Sequence, residues 1–173
     1  NNDNKIYWMQ SYIKKAMSAK KLQAAESIIS LSEKYFKTSD EKFIFYTLYT
    51  ELRDLKFPNF SDSKFILQFS PPSECLKFEG NVSLFIMNGP NIPIASLDFQ
   101  DSIEVILNNK NSSIPGFDLA SAYLNQEALE LKASLFCIEN NLDYFSENTL
   151  LFDQNSFVNS YNIRPNEWLK REQ

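Results

Sequence analysis

Three carboxylates, Asp98, Asp101 and Glu104, are the residues whose type and spacing come nearest to chemistry in this chain. They fall in Val82–Leu107, VSLFIMNGPNIPIASLDFQDSIEVIL, where three apolar runs are separated by Asn88-Gly89-Pro90-Asn91 and Gln100-Asp101-Ser102. Branched and aromatic runs broken by turn formers predict antiparallel strands. A loop at 88–91 sets Leu84 opposite Ala95 and Val82 opposite Leu97. A loop at 100–102 then sets Leu97 opposite Val105 and Ala95 opposite Leu107, so one register serves three strands. In that meander Asp98 faces Glu104, with Asp101 at the tip. Opposed like charges cost a fraction of ~1 kcal/mol, and such a patch gains when a basic partner arrives. The expected partner-binding residues are therefore Asp98, Asp101 and Glu104. Two carboxylates also suit a glycosidase acid–base pair, and a carboxylate-dependent hydrolase is the alternative on the side of catalysis.

Other chemistries lack their residues. The chain has no His, so Ser–His and Cys–His nucleophile pairs are excluded. Gly80, Gly89 and Gly116 are isolated, which leaves no phosphate-cradling loop. Asp153-Gln154-Asn155 starts like a calcium loop, but Phe157, Val158 and Arg164 stand where ligands and the tight turn belong. Cys75 and Cys137 have no metal-type spacing, and both are expected as buried free thiols. No cofactor or metal is expected. Asn59, Asn81 and Asn111 each begin a glycosylation triplet, as an Asn- and Ser-rich chain does by chance.

The elements that must position the acids follow from periodicity. Residues 5–36 carry apolar positions at helical spacing with a break near Ser18–Lys20. Thr38-Ser39-Asp40-Glu41 reads as a capping box opening a third helix to about Lys56, with Pro58 as its stop. Met9, Tyr12, Ala16, Leu22, Ala25 and Ile29 fall near the apolar and small positions of a tetratricopeptide unit, which this opening resembles. The resemblance covers about a third of the chain and lacks the glycine and the terminal proline of that pattern. It implies a helical-repeat-like adaptor or secretion-system component binding through 5–57. A lone repeat cannot bury its own face, so an ordinary helical segment packing on a sheet is the competing expectation.

Lys64–Ser70 is expected as a further strand, and Asp118 as the cap of a helix over 118–140 ended by Asn140-Asn141. The tail, 146–173, reads as a mixture of short strands and a brief helix begun by Pro165. The expectation is α+β: one domain over 1–173, a β-meander at 64–107 packed by N-terminal helices and by the 118–140 helix.

At 173 residues with 15 Phe and 8 Tyr there is ample material for a core. A net charge of −5 disfavours sequence-independent nucleic-acid binding. The charge is uneven: residues 1–37 hold seven lysines against Asp3, Glu26 and Glu33, leaving +4 there and −9 in the rest. Internal neutralisation is the expectation for that asymmetry. No apolar run approaches the ~20 residues of a membrane helix. Prominent Asn, Lys, Ile, Phe and Tyr fit an AT-rich coding sequence. Together these features point to a cytoplasmic, non-catalytic protein-binding domain, such as a small acidic bacterial inhibitor or immunity-type protein. Export stays open if a leader has been removed.

Overall fold

A computed structural model describes residues 1–56, 63–114, 117–119, 128–151 and 158–172. The fold is α+β. Three helices come first: α1 (Asn2–Ser18), α2 (Leu22–Ser32) and α3 (Ser39–Lys56). The expected break between the first two is sharp, with Lys20 left-handed at φ 58°. The capping residues act nearly as expected. Thr38 Oγ1 accepts from the Glu41 amide at 3.2 Å, and the Glu41 carboxylate accepts from the Lys37 amide at 3.0 Å, one residue before the cap. Pro58 lies outside the described residues.

Among the described residues eight strands follow: β1 (Lys64–Phe69), β2 (Phe78–Ile86), β3 (Ala95–Gln100), β4 (Glu104–Asn108), β5 (Leu129–Cys137), β6 (Leu142–Leu150), β7 (Val158–Ile163) and β8 (Leu169–Lys170). They form a three-stranded sheet, β4-β1-β7, and a five-stranded sheet, β3-β2-β5-β6-β8. In the tail Pro165 opens a 3-10 turn over 165–167, shorter than the brief helix expected to run on through Trp168 and Leu169, and Leu169 belongs to β8 instead.

Half of the expected meander is present. β2 and β3 pair antiparallel with Val82 opposite Leu97 and Leu84 opposite Ala95. The third strand departs. β4 leaves β3 and joins β1 in the other sheet, setting Val105 against Leu67 and Leu107 against Phe65. A period of two matches any alternating neighbour, and β1 offers Leu107 the larger Phe65 in place of Ala95. The exchange also takes Glu104 away from Asp98 and places it beside Gln68, whose amide donates to it at 2.9 Å. The like-charge cost of the meander is thereby avoided.

The expected helix over 118–140 is corrected by the sheet. Residues 120–127 lie outside the described ones, but Leu129–Cys137 is strand β5, at the centre of the five-stranded sheet. Leu129, Leu131, Ala133, Leu135 and Cys137 are all buried, in strict alternation. Positions four apart share a face in a strand as in a helix, so Leu129, Ala133 and Cys137 read equally well as a helical stripe. The left-handed asparagine expected as a helix stop is real, but Asn141 (φ 53°) turns the β5–β6 hairpin instead.

The expected free thiols are likewise corrected. Cys75 and Cys137 form a disulfide. The spacing of 62 residues hid it, because the two meet only when the loop after β1 folds over the end of β5. That loop has further fastenings there. The Asn140 amide donates to the Glu74 carbonyl at 2.5 Å, the Ile138 amide to the Lys77 carbonyl at 2.9 Å, and the Tyr144 hydroxyl to the Glu74 carboxylate.

Buried side chains from the helices and both sheets form one contiguous core. The sheets meet at an aromatic cluster, where Phe69 of β1 lies 5.8 Å from Phe78, 5.1 Å from Phe99 and 5.7 Å from Trp168, ring centre to ring centre. The helices attach through α3. Phe43 and Tyr46 pack on Phe117 at 5.0 and 6.1 Å, and the buried Arg53 guanidinium reaches Asp118 at 3.5 Å and Asp54 at 2.6 Å. Asp118, expected as a helix cap, serves here as a counter-charge for α3.

Two outcomes follow. Reduction of the disulfide, or a Cys75→Ser/Cys137→Ser double variant, should lower stability by about 4 kcal/mol, the value for a loop of this length when the bridge acts on the unfolded chain. Non-reducing mass spectrometry should find the oxidised mass, and chemical denaturation with and without reductant measures the loss.

The bond to Glu74, with burial second, pushes the Tyr144 phenol up to about 12. A raised folded value means that the contact contributes its full stability below the unfolded pKa near 10 and loses it as the pH climbs through 12. The stability difference between the parent and Tyr144→Phe should accordingly be constant to about pH 9 and shrink across that alkaline window.

Candidate functional site

Because successive side chains point to opposite faces of a strand, burying one face of the five-stranded sheet dictates what the other displays. β2 turns out Glu79, Asn81, Ser83 and Phe85, and β5 turns out Glu130, Lys132, Ser134 and Phe136. Ser96, Asp98 and Gln100 face the same way on β3, as do Asp143, Phe145, Glu147 and Thr149 on β6. The pairing registers align them in rows across the sheet: Asp98–Asn81–Ser134–Phe145, Gln100–Glu79–Phe136–Asp143 and Ser96–Ser83–Lys132–Glu147.

A hydrogen-bond network rigidifies the β2–β3 end. The Asn81 amide donates to Asp98 at 2.7 Å and to Ser96 Oγ at 3.2 Å. Ser83 Oγ donates to Asn81 Oδ1 at 2.9 Å and lies 2.9 Å from Ser96 Oγ. Beside this network lies a groove of about 650 Å³ bordered by Glu79, Asn81, Asp98, Gln100, Ser134, Phe136, Asp143 and Arg171. Cations on this sheet face are already engaged with rings: Arg171, at the groove, sits 5.4 Å from the Phe145 ring centre, and Lys132 sits 5.1 Å from that of Phe85. Among the described residues, Glu79, Asp98, Asp143 and Glu147 have no ion pair within 4.0 Å. The surface thus carries excess negative charge next to half-buried rings and fixed amide and hydroxyl groups.

The acid trio expected from the sequence is not brought together. Asp98 lies on this face. Asp101, left-handed at φ 50°, accepts the Phe78 amide at 2.9 Å and closes the turn after β3. Glu104 is in the other sheet with Gln68. In place of Asp101 and Glu104, the fold sets Glu79 and Asp143 on the border of the same groove as Asp98. Strand alternation alone could have revealed Glu79, which stands two residues before Asn81. Asp143 needed the β5–β6 hairpin to be recognised first.

Gly80 shapes the sheet beneath the groove. A Cβ there would collide with the Ser134 carbonyl oxygen and come within 2.6 Å of Phe99 Cζ, so the missing side chain is what lets Phe99 lie against β2. Gly80→Ala should therefore cost about 1–3 kcal/mol by overpacking, read as a lower urea midpoint with unchanged m-value. No family model, curated protein or solved structure matches this chain.

Proposed function

We propose that this chain is a non-catalytic protein-binding domain that receives a basic partner on the outer face of its five-stranded sheet, as a small acidic inhibitor or immunity-type protein would. The observation that carries the reading is the set Glu79, Asp98, Asp143 and Glu147, carboxylates on one rigid face with no ion pair among the described residues. Charge of one sign on such a surface raises the rate of encounter with an oppositely charged protein and fixes its orientation. Half-buried Phe136 and Phe145 supply apolar contact area of the kind that anchors an interface. Inhibition by occlusion asks for this complementarity and for no catalytic group. The Cys75–Cys137 bridge supports an oxidising compartment over the cytoplasm, and the partner is then sought among exported proteins.

The test is kinetic. With a basic partner identified by cross-linking and mass spectrometry, association of the Glu79→Gln/Asp98→Asn/Asp143→Asn variant should be slower by about tenfold or more at low salt, with dissociation little changed. The difference should fade as salt shortens the Debye length to ~8 Å. Equal association rates at low salt remove this face from the reading. Asp101→Ser and Glu104→Ser serve as controls. The first should lower stability through its lost turn contact, and neither should slow association as the triple change does.

A further inference from the structure

A second surface, on the opposite side of the charge balance, carries an independent inference. Helix α1 buries Ile6, Ile13 and Met17 and turns Tyr7, Trp8 and Tyr12 outward, 63, 58 and 59% exposed. The three rings touch in a row, Tyr7 to Trp8 at 6.0 Å and Trp8 to Tyr12 at 6.2 Å. Core packing does not explain them, since the core-facing stripe of α1 is filled by other residues. At helical spacing Lys5 lies three residues before Trp8, Lys15 seven after it and Lys14 seven after Tyr7, so exposed ammonium groups flank the rings. Lys20 and Lys21 extend the basic surface past the end of the helix. The internal neutralisation expected for the seven lysines of residues 1–37 is not found: none of them has a carboxylate within 4.0 Å among the described residues. Lys5 and Lys34 instead sit over the Tyr35 ring at 5.6 and 5.2 Å.

We propose that this face of α1 docks on an anionic lipid surface. The exposed rings are Tyr and Trp, whose apolar bodies and polar tips suit the headgroup boundary. Lysine stems lie along apolar surface while their charges reach lipid phosphates. The patch lies along one helix, a geometry that matches a plane and not a cleft. The +4 of residues 1–37 against the −9 of the remainder orients the molecule with the helices toward negative charge. Attachment is peripheral, since none of the described helices is long and apolar enough to cross a membrane.

Trp8 is its own reporter, because the only other tryptophan, Trp168, is buried and donates to the Ser70 carbonyl at 3.1 Å. In a Trp168→Phe background, vesicles of phosphatidylcholine with phosphatidylglycerol should shift Trp8 emission to the blue and shield it from acrylamide. Pure phosphatidylcholine should do neither. Lys14→Gln/Lys15→Gln should weaken vesicle binding by about thirtyfold at low ionic strength, and Trp8→Ala/Tyr12→Ala should weaken it with unchanged circular dichroism. No emission shift on anionic vesicles, or equal binding to neutral ones, overturns the proposal. So does a matching shift with poly-glutamate, which would identify an acidic protein surface. Self-association abolished by Trp8→Ala would also overturn it, assigning the face to a second copy.

Discussion

Nine consecutive residue pairs join β2 to β5, and nine more join β5 to β6. The rest of the structure depends on that central ladder. Its inward residues, among them Val82, Leu84, Leu131, Ala133 and Leu135, are all buried. Burial of this kind contributes about 25 cal/mol per Å² of apolar surface removed from water. It also fixes the register, since a slip by one residue would exchange core and solvent faces along the whole strand. Once the register is set, Glu79, Asn81, Ser134 and Phe136 have no choice but to face outward. The end of β5 is likewise set, and with it the place where Cys137 meets Cys75. The composition of the outer face is in this sense a by-product of the core.

The helical layer is held differently. α3 rests on Phe117 and on the buried Arg53 between Asp54 and Asp118. Burying a guanidinium gains little net stability over an apolar replacement, yet removing one partner leaves a costly charge. The attachment is therefore specific more than strong. It keeps a basic layer beside an acidic sheet, and among the described residues the direct pairings are few: those of Arg53, Lys56–Glu26 within the helices and Lys132–Glu130 within the sheet. A molecule with two surfaces of opposite sign can meet two kinds of partner at once.

What was legible in the sequence was local. The break after Ser18, the Thr38 cap, the β1 strand and the Val82–Leu97 and Leu84–Ala95 pairings each follow from residues near one another. What was not legible required distant partners. Val105 and Leu107 fit β3 and β1 equally by pattern, and only the size of Phe65 against Ala95 and the repulsion between Asp98 and Glu104 decide between them. Leu129, Ala133 and Cys137 fit helix and strand alike until β2 is present to pair with. The bridge between Cys75 and Cys137 and the placing of Glu79, Asp98 and Asp143 on one groove are consequences of those same pairings. Hence of the three carboxylates on the groove Asp98 was legible from sequence, while Glu79 and Asp143 were not.

β1 pairs in parallel with β7, from Lys64 against Val158 to Phe69 against Ile163, while its other edge takes β4. A parallel pairing between segments so far apart in the chain makes a large contribution to contact order, and its loop-closure entropy is spent before its contacts form. During synthesis, β1 and β4 are made long before β7 and wait with one edge open. Such an edge is a template for other chains. The three-stranded sheet therefore cannot be completed, and the chain stays incompletely folded, until β7 has been made.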